Sequence, residues 1–352
     1  MTGDGPIRVC LVGAGMWARA MHLPALQRIP GVEVVAIVSH SAASAADAAG
    51  EFGIAHAGTD LAAALVASGA QVVDVVAPPD VHAPATLTAA QHGAHVICIK
   101  PLARTSEEAA GMVSATRAAG VRLFYAENVP FIPALQEAKR LVDAGHIGEV
   151  FRVKAAEGIG EPHSSWFFDP ARSGGGVVLD MAVHSIEFCR FFAGSDVASV
   201  YADGGTYRWQ ERTSAEDTAV LTLRFANGVL GQCEDSWSLA GAMDSRFEIF
   251  GTTGRILIDN LHRQPLQVLS STGSAAAPSG WTYPLPVPGL LADGHLDMLG
   301  HFMECIRTGA SSPSEATVGQ HALAVVEAAV RSMTTGRREP VVLDHELMGS
   351  LA

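Results

Sequence analysis

Charged side chains are scarce in this sequence. Asp, Glu, Lys and Arg make up 17% of the 352 residues, and the formal net charge is −13. No run of Lys or Arg occurs, whereas a nucleic-acid-binding protein would present a basic face. We therefore expect no nucleic-acid partner.

Cysteine and metal-ligand motifs are also sparse. The five cysteines are scattered, odd in number and without CxxC spacing, so no disulfide framework is expected. There are 14 histidines, yet neither HExxH nor a cluster of His and Cys appears. Asp180 and His184 could ligate zinc, but two further ligands are not nominated. No metal site is predicted.

Long apolar runs are missing as well. No charge-free stretch is long enough to cross a bilayer, and the start of the chain lacks a basic region followed by an apolar one. The sequence therefore predicts a cytoplasmic protein with no membrane partner. Hydrophobic residues amount to 48%, and the length exceeds one ordinary core, so two globular domains are expected.

The first third of the chain alternates apolar strands with helices. This alternation predicts a parallel sheet covered on both faces. Thr105 and Glu108 form a capping box at the start of one helix. The predicted strands are Ile7–Val12, Val32–Val38, Val72–Val76, His95–Ile99 and Val121–Tyr125, and the helices are Ala42–Phe52, Asp60–Ser68, Val81–His92 and Thr105–Ala119.

The first strand runs directly into a glycine-rich turn. Gly13 permits the tight turn, Gly15 lets a pyrophosphate approach the backbone, and Ala18 keeps the following helix close to the strand. A pyrophosphate placed there would lie at a helix N-terminus, where amides and the helix dipole favour anions. Strand, motif and helix stand in the order that dinucleotide binding requires.

After about residue 127 the pattern changes to short strands, with two helices closing the chain. Asn227-Gly228 between apolar runs predicts a hairpin, and the sheet is expected to be mostly antiparallel. Residues 264–288, rich in Ser, Gly, Pro and Ala, are predicted to be a surface loop. We assign residues 1–127 to a dinucleotide-binding domain and residues 128–352 to a substrate-binding and oligomerisation domain. The last segment is also a candidate for packing back on the first domain.

The segment from Ser173 to His184, SGGGVVLDMAVH, is the most informative one in the second half. Asp180 and His184 are four residues apart, so on a helix they share a face. A carboxylate can orient an imidazole, which titrates near neutral pH and can act as a base. The glycines before them let backbone approach a ligand closely.

Together these motifs resemble the Gfo/Idh/MocA oxidoreductase family over nearly the whole chain. GAGMWA matches its nucleotide turn, and CIKP, at residues 98–101, stands where the family usually has EKP. GGGVVLDMAVH matches its catalytic helix, and ENVPF, at residues 127–131, its crossing point between domains. The resemblance implies a Rossmann domain followed by an α/β domain with an open, mostly antiparallel sheet.

The resemblance also implies which side chains do the chemistry. Lys100, Asp180 and His184 become the catalytic set, with His184 as acid and base, Asp180 orienting it and Lys100 polarising the oxygen. The predicted cofactor-binding residues are Gly13, Gly15, Met16, Trp17, Ser39, His40, Ala77, Pro78, His82, Lys100 and Pro101. The predicted substrate-binding residues are Lys100, Glu127, Asn128, His163, Trp166, Asp180 and His184.

Two departures from the family pattern stand out. Ile99 replaces the acidic residue of EKP. The second strand ends in Ser39 and His40, with no Asp or Glu to bind a ribose 2′-hydroxyl. We therefore expect NAD or NADP as the cofactor, with a small preference for NADP.

The main functional hypothesis is an NAD(P)-dependent oxidoreductase that acts on a ring alcohol or ketone of a sugar, glycoside or cyclitol. One alternative is an enzyme that recycles its cofactor within each turnover and works as a lyase, hydrolase or epimerase. Another is a dinucleotide-sensing regulatory protein, which the intact Lys100, Asp180 and His184 set argues against. The exposed face of the second-domain sheet predicts a homodimer or homotetramer, because large apolar patches seldom stay exposed to water.

Overall fold

The structure, a computed structural model, describes residues 5–241, 243–261, 265–272, 279–284 and 293–342. The chain divides into two compact units. Of the described residues, the first unit takes those up to Asn128 together with Gly294–Gln320. The second unit takes those from Val129 to Asp293 and from His321 onwards.

The first unit is built on a six-stranded parallel sheet in the order β3-β2-β1-β4-β5-β6. This is the strand order of a Rossmann fold, so the predicted fold of the first domain is confirmed. The order reverses between β1 and β4, where such sheets bind ligands beyond the carboxyl ends of their strands. The strands are β1 (Ile7–Val12), β2 (Val32–Val38), β3 (His56–Gly58), β4 (Val72–Val75), β5 (His95–Ile99) and β6 (Leu123–Ala126).

The helices of this unit begin and end largely where their capping residues predict. Ser41 and Asp60 accept a hydrogen bond from the third helical amide, and Gly53 and Gly69 end the same helices in the left-handed conformation. Thr105 caps its helix through the Glu108 amide, but the Glu108 carboxylate accepts from the Arg104 amide, so the predicted capping box is half formed. The helices are α1 (Leu23–Arg28), α2 (Ala42–Phe52), α3 (Leu61–Ser68), α4 (His82–Gln91) and α5 (Ser106–Ala118).

The second unit contains a nine-stranded sheet in the order β14-β13-β12-β11-β7-β10-β9-β8-β15. Within this sheet, β7 and β10 are the only described strands that pair in parallel, which confirms a mostly antiparallel sheet. The predicted Asn227-Gly228 hairpin joins β9 to β10, with Gly228 at φ +90°. The strands are β7 (Val150–Ile159), β8 (Val197–Gly205), β9 (Thr218–Phe225), β10 (Leu230–Ser236), β11 (Met243–Gly251), β12 (Gly254–Asp259), β13 (Leu266–Ser270), β14 (Gly280–Thr282) and β15 (Glu339–Pro340).

One face of this sheet is covered by a helix and forms the core. The helix α9 packs on β7 and β10, and Phe188 on α9 stacks on Phe247 with ring centroids 4.3 Å apart. Burying such rings removes large apolar areas from water and holds helix and sheet together. The helices that follow α5 in the chain are α6 (Pro133–Asp143), α7 (Pro170–Ser173), α8 (Val177–Asp180), α9 (Ala182–Ala193), α10 (Asp293–Thr308) and α11 (Ala316–Thr335).

Two predictions about this unit were wrong. The segment 264–288 is not a continuous loop, because its described part forms β13 and β14 at one edge of the sheet. Its residues 264, 273–278 and 285–288 lie outside the described ones. The second face of the sheet is not an apolar patch either, since Arg246, Glu248 and Arg255 lie on it.

Candidate active site

The glycine-rich turn lies between the ends of the three central strands of the first unit. Gly13 adopts φ +112°, and its amide donates to the Val38 carbonyl oxygen over 2.8 Å. A Cβ placed at Gly13 would lie 2.0 Å from the carbonyl oxygen of Val76. Glycine is therefore required here by the protein itself, because a side chain would collide with backbone.

Gly15 is in a different situation. No described heavy atom lies within 4 Å of the position that its Cβ would take. The turn then leads into a helical segment that starts with a single π turn at Ala18–His22 and continues as α1. The space above Gly15, at the start of that segment, suits the close approach of a pyrophosphate.

Met16 and Trp17 follow Gly15 and are 50% and 37% exposed. The Trp17 ring stacks on His295, the centroids being 6.0 Å apart and the planes 16° apart. His295 also meets the edge of His22. His22 in turn lies 2.8 Å from Asp74, both fully buried, a pair separated by 52 residues that no motif announced.

The end of β2 holds the residues that predict cofactor preference. Ser39 is buried and its Oγ lies 3.4 Å from Nδ1 of His40, whose side chain is exposed. Ser41 is occupied as the cap of α2. The structure thus leaves His40 as the exposed polar group at this strand end.

The loops after β4 and β5 are connected by His82. Its Nδ1 lies 2.9 Å from the Pro101 carbonyl oxygen and its Nε2 lies 2.8 Å from the Ala77 carbonyl oxygen. His82 is fully buried and Pro101 is buried, and burial lowers the pKa of the His82 imidazole. Both residues hold Ala77 and Pro78, which are half-buried, in place, and their direct contact with a dinucleotide stays a prediction.

Lys100 is the first residue beyond β5 and is half-buried. The Lys100-Pro101 peptide bond is cis. Because Lys100 directly follows β5, it stands at the carboxyl end of that strand, where open α/β sheets bind ligands. Glu127 follows β6 and is fully buried, so its predicted direct contact with substrate is not supported, whereas Asn128 is half-buried.

The glycines before Asp180 have a structural reason. A Cβ at Gly176 would lie 2.2 Å from the Glu216 carbonyl oxygen, and one at Gly175 would lie 3.2 Å from Leu179. The Glu216 carboxylate also accepts from the Val178 amide, and burial raises the pKa of Glu216. These glycines thus let the chain pack against itself, which corrects the expectation that they make room for a ligand.

Asp180 and His184 lie on two short helices that meet at Met181. Asp180 is the last residue of α8, and His184 is in the first turn of α9. Both are half-buried, and every other residue of Val177–Cys189 is buried. In this otherwise buried segment, the two predicted acid–base groups are therefore the ones that keep contact with solvent.

Asp180 accepts a hydrogen bond from a residue that no sequence motif predicts as its partner. Nε1 of Trp237, which is fully buried, donates to Oδ2 of Asp180 over 2.8 Å. Trp237 directly follows β10, and its ring meets the edges of Phe167 and Phe168, each with centroids 6.1 Å apart. An indole N–H is a donor only, so it fixes a carboxylate without taking its charge.

The predicted substrate loop packs on the same aromatic cluster. Trp166 stacks on Phe167 with centroids 3.7 Å apart and planes 20° apart, and it is half-buried. His163 is exposed and meets the edge of Phe167. Trp166 thus anchors the loop on one ring face while keeping part of its surface in solvent.

The described residues contain neither a group of three or more His, Cys, Asp or Glu that could hold a metal ion nor a helix that could span a membrane.

The residues 7–127 match the family model described as "Oxidoreductase family, NAD-binding Rossmann fold", and the residues 135–257 match the "GFO/IDH/MocA C-terminal domain". The chain belongs to the Gfo/Idh/MocA oxidoreductase family. It is therefore an oxidoreductase with a Rossmann domain of the NAD-binding type.

Other members of the family are similar over most of the chain. The 1,5-anhydro-D-fructose reductase of Ensifer adhaerens is 32% identical over 72% of this chain and 76% of that protein. The D-xylose 1-dehydrogenase [NADP(+)] of Haloarcula marismortui is 26% identical over 73% of each. The structure described as "Levoglucosan dehydrogenase, complex with NADH and levoglucosan" superposes with a TM-score of 0.86 at 26% identity, covering 96% of this chain and 100% of that one.

Proposed function

We propose that this protein is an NAD(P)-dependent dehydrogenase or reductase acting on a ring secondary alcohol or the matching ketone of a sugar, glycoside or cyclitol. The main observation behind the proposal is that Asp180 and His184 are half-buried, whereas every other residue of Val177–Cys189 is buried. The family relationship supplies the cofactor class, and the relatives act on sugar-like compounds by their names.

The residues of this chain have separate tasks in that reaction. His184 takes the proton of the substrate hydroxyl during oxidation and returns it during reduction. Asp180 orients the imidazole and stabilises its protonated form. Lys100 donates a hydrogen bond to the substrate oxygen and stabilises the negative charge that develops there. A bound nicotinamide supplies the hydride acceptor or donor, and the turn at Gly13 and Gly15 holds its pyrophosphate.

The proposal is tested with a panel of monosaccharides, glycosides and inositols, each offered with NAD and NADP, while the absorbance of reduced nicotinamide is recorded. We expect a net absorbance change with at least one cyclic polyol. Product formed without net absorbance change would instead establish internal recycling of the cofactor. Dinucleotide binding with no turnover of any compound would favour a sensor.

We further propose that His40 faces the adenine ribose and favours NADP. Because a carboxylate repels a 2′-phosphate and can accept from a 2′-hydroxyl, His40→Asp should raise the Kd for NADP about tenfold without weakening NAD. Fluorescence titration measures both constants. His56→Asp, which adds the same charge at an exposed position on β3, is the control and should leave both unchanged. Equal shifts in both variants would contradict the placement of His40.

We also propose that the open face of the second-unit sheet forms a homodimer or homotetramer. Arg152 lies over the Phe250 ring, 3.9 Å from its centroid, and Lys154 pairs with Glu234 over 3.0 Å. Charged side chains held against aromatic rings and acids suit a mixed polar interface better than an apolar one. Light scattering on the purified protein gives the oligomeric state.

A further inference from the structure

Two side chains at the end of β10 are bonded to residues on either side of His184. Trp237 donates to Asp180, four residues before His184, and Asp235 Oδ1 accepts from the Ser185 hydroxyl over 2.8 Å, one residue after it. Asp235 and Trp237 are two residues apart and thus point to the same side of the strand. Both are buried, with exposures of 2% and 0%.

The backbone between Asp180 and Ser185 does not fix their relative positions by itself. The helix stops at Asp180 and restarts at Ala182, and Met181 lies between them at φ −100° and ψ −42°. The His184 amide bonds to the Met181 carbonyl oxygen three residues back, as in a tightened turn. The helix is therefore irregular at Met181, and contacts from outside to Asp180 and Ser185 act together with the backbone on the geometry of Asp180 and His184.

The surroundings of Asp235 indicate its charge state. Its neighbour in register on β7 is the buried Glu157, and on β9 it is Ala219. Asp180 on α8 acts on it electrostatically, and the side chains that α9 brings to this region are those of His184, Ser185 and Cys189, the last 3.9 Å from Cys233. On the same strand, Glu234 pairs with Lys154 on the opposite face.

No cation among the described residues pairs with Asp235. Its Oδ2 is buried with no hydrogen-bond partner among them. A buried carboxylate bonded only by one hydroxyl and flanked by other carboxyl groups is strongly disfavoured, whereas the neutral acid is not. Burial accordingly raises the pKa of Asp235 well above its usual value.

We propose that Trp237 and Asp235 are positioning residues that hold Asp180 and Ser185 and thereby set the acid–base pair. Asp235 does so as a neutral acid, so that Asp180 is the negative charge that acts on His184. This inference rests on the proposed function for its kinetic consequence, and it makes predictions about the NMR ring signals of His184 and about stability that need no substrate.

The Trp237→Phe variant removes the N–H and keeps most of the ring. Because the indole N–H then no longer holds the Asp180 carboxylate in position, we expect the NMR ring signals of His184, recorded at one fixed pH, to shift. In a turnover assay, kcat should fall about tenfold, with KM and the dinucleotide Kd within about twofold.

Trp209→Phe is the matched control. Nε1 of Trp209 donates to the Trp237 carbonyl oxygen over 3.0 Å, so the variant loses an indole N–H in the same aromatic cluster without touching Asp180. It should leave the ring signals of His184 unchanged. Ring signals of His184 that stay unchanged in Trp237→Phe, or shift equally in both variants, would overturn the role of Trp237.

The Asp235→Asn variant tests the neutral acid, because an amide imitates a protonated carboxyl group. A raised carboxyl pKa in the folded state costs stability above the unfolded pKa, and the cost grows until the folded pKa is reached. We therefore expect the Tm of Asp235→Asn to match that of the wild type near pH 4.5. At higher pH it should exceed the wild-type Tm by a margin that widens by about 2 °C per pH unit until the folded-state pKa is reached.

Asp217→Asn is the matched control for charge. The Asp217 carboxylate accepts from the amides of Tyr207, Arg208 and Trp209; burial opposes its ionisation, but these bonds outweigh burial and lower the pKa of Asp217. The same substitution there should lower Tm at neutral pH. If Asp235→Asn also lowered Tm, Asp235 would be ionised and the inference would fail. If no compound of the panel were turned over while the NMR result for Trp237→Phe and the Tm result for Asp235→Asn were as expected, only the proposed function would fail.

Discussion

Replacing His184 with alanine is expected to lower kcat by about a thousandfold, because general acid–base groups contribute two to four orders of magnitude. His184 is half-buried in the first turn of α9, so removing its ring leaves the core residues around it in place. We therefore expect Tm and the dinucleotide Kd to stay close to those of the wild type. Steady-state kinetics, fluorescence titration and thermal unfolding measure the three quantities.

A companion substitution separates the base from the oxygen-polarising group. Lys100→Met keeps the aliphatic stem and removes the charge, and we expect kcat to fall about a hundredfold with the dinucleotide Kd little changed. His92→Ala, at an exposed position after α4, is the control for histidine loss and should retain full activity. Unchanged turnover in both His184→Ala and Lys100→Met would reject the roles assigned to these residues.

The second large effect is expected at Gly15. Because no described atom lies within 4 Å of its missing Cβ, Gly15→Ala should fold with an unchanged Tm. A methyl group there would occupy the space needed by a pyrophosphate, so the Kd for NAD and NADP should rise at least about a hundredfold, a loss of about 2.7 kcal/mol. Titration calorimetry and thermal unfolding distinguish the two effects.

Gly13→Ala provides the contrast. Its Cβ would lie 2.0 Å from the Val76 carbonyl oxygen, and its φ of +112° is unfavourable for alanine. We expect a clear drop in Tm before any ligand is added, because the turn itself must move. If Gly15→Ala lost stability as Gly13→Ala does, the assignment of Gly15 to ligand approach would be wrong.

The sequence predicted the first unit well for a physical reason. Central parallel strands are buried on both faces, so Val72–Val75 and His95–Ile99 appear as mostly apolar runs between helices, with Asp74 inside the first and His95 at the start of the second. The caps and turn glycines of this unit act over a few residues. Prediction was weaker for β13 and β14, because these strands lie among Ser, Gly and Pro and acquire strand geometry only by pairing, β13 with β12 and β14 with β13.

The residues around the candidate site divide in the same way. Local motifs nominated Gly13, Asp180 and His184, and the resemblance to the family nominated Lys100. The structural partners of His82 and Gly176 were not predicted, because a sequence does not show that a histidine's partners are two carbonyl groups or that a glycine faces Glu216.

By itself, the sequence predicted most strands and helices of the first unit, the glycine-rich turn and the proposed acid–base pair, because these depend on interactions between near neighbours. The tertiary structure alone decided what holds that pair. Trp237 is 57 residues from Asp180, and Asp235 is 50 residues from Ser185. Hydrogen bonds between such distant residues form only after β10 and α9 have packed, and no local pattern in the chain encodes them.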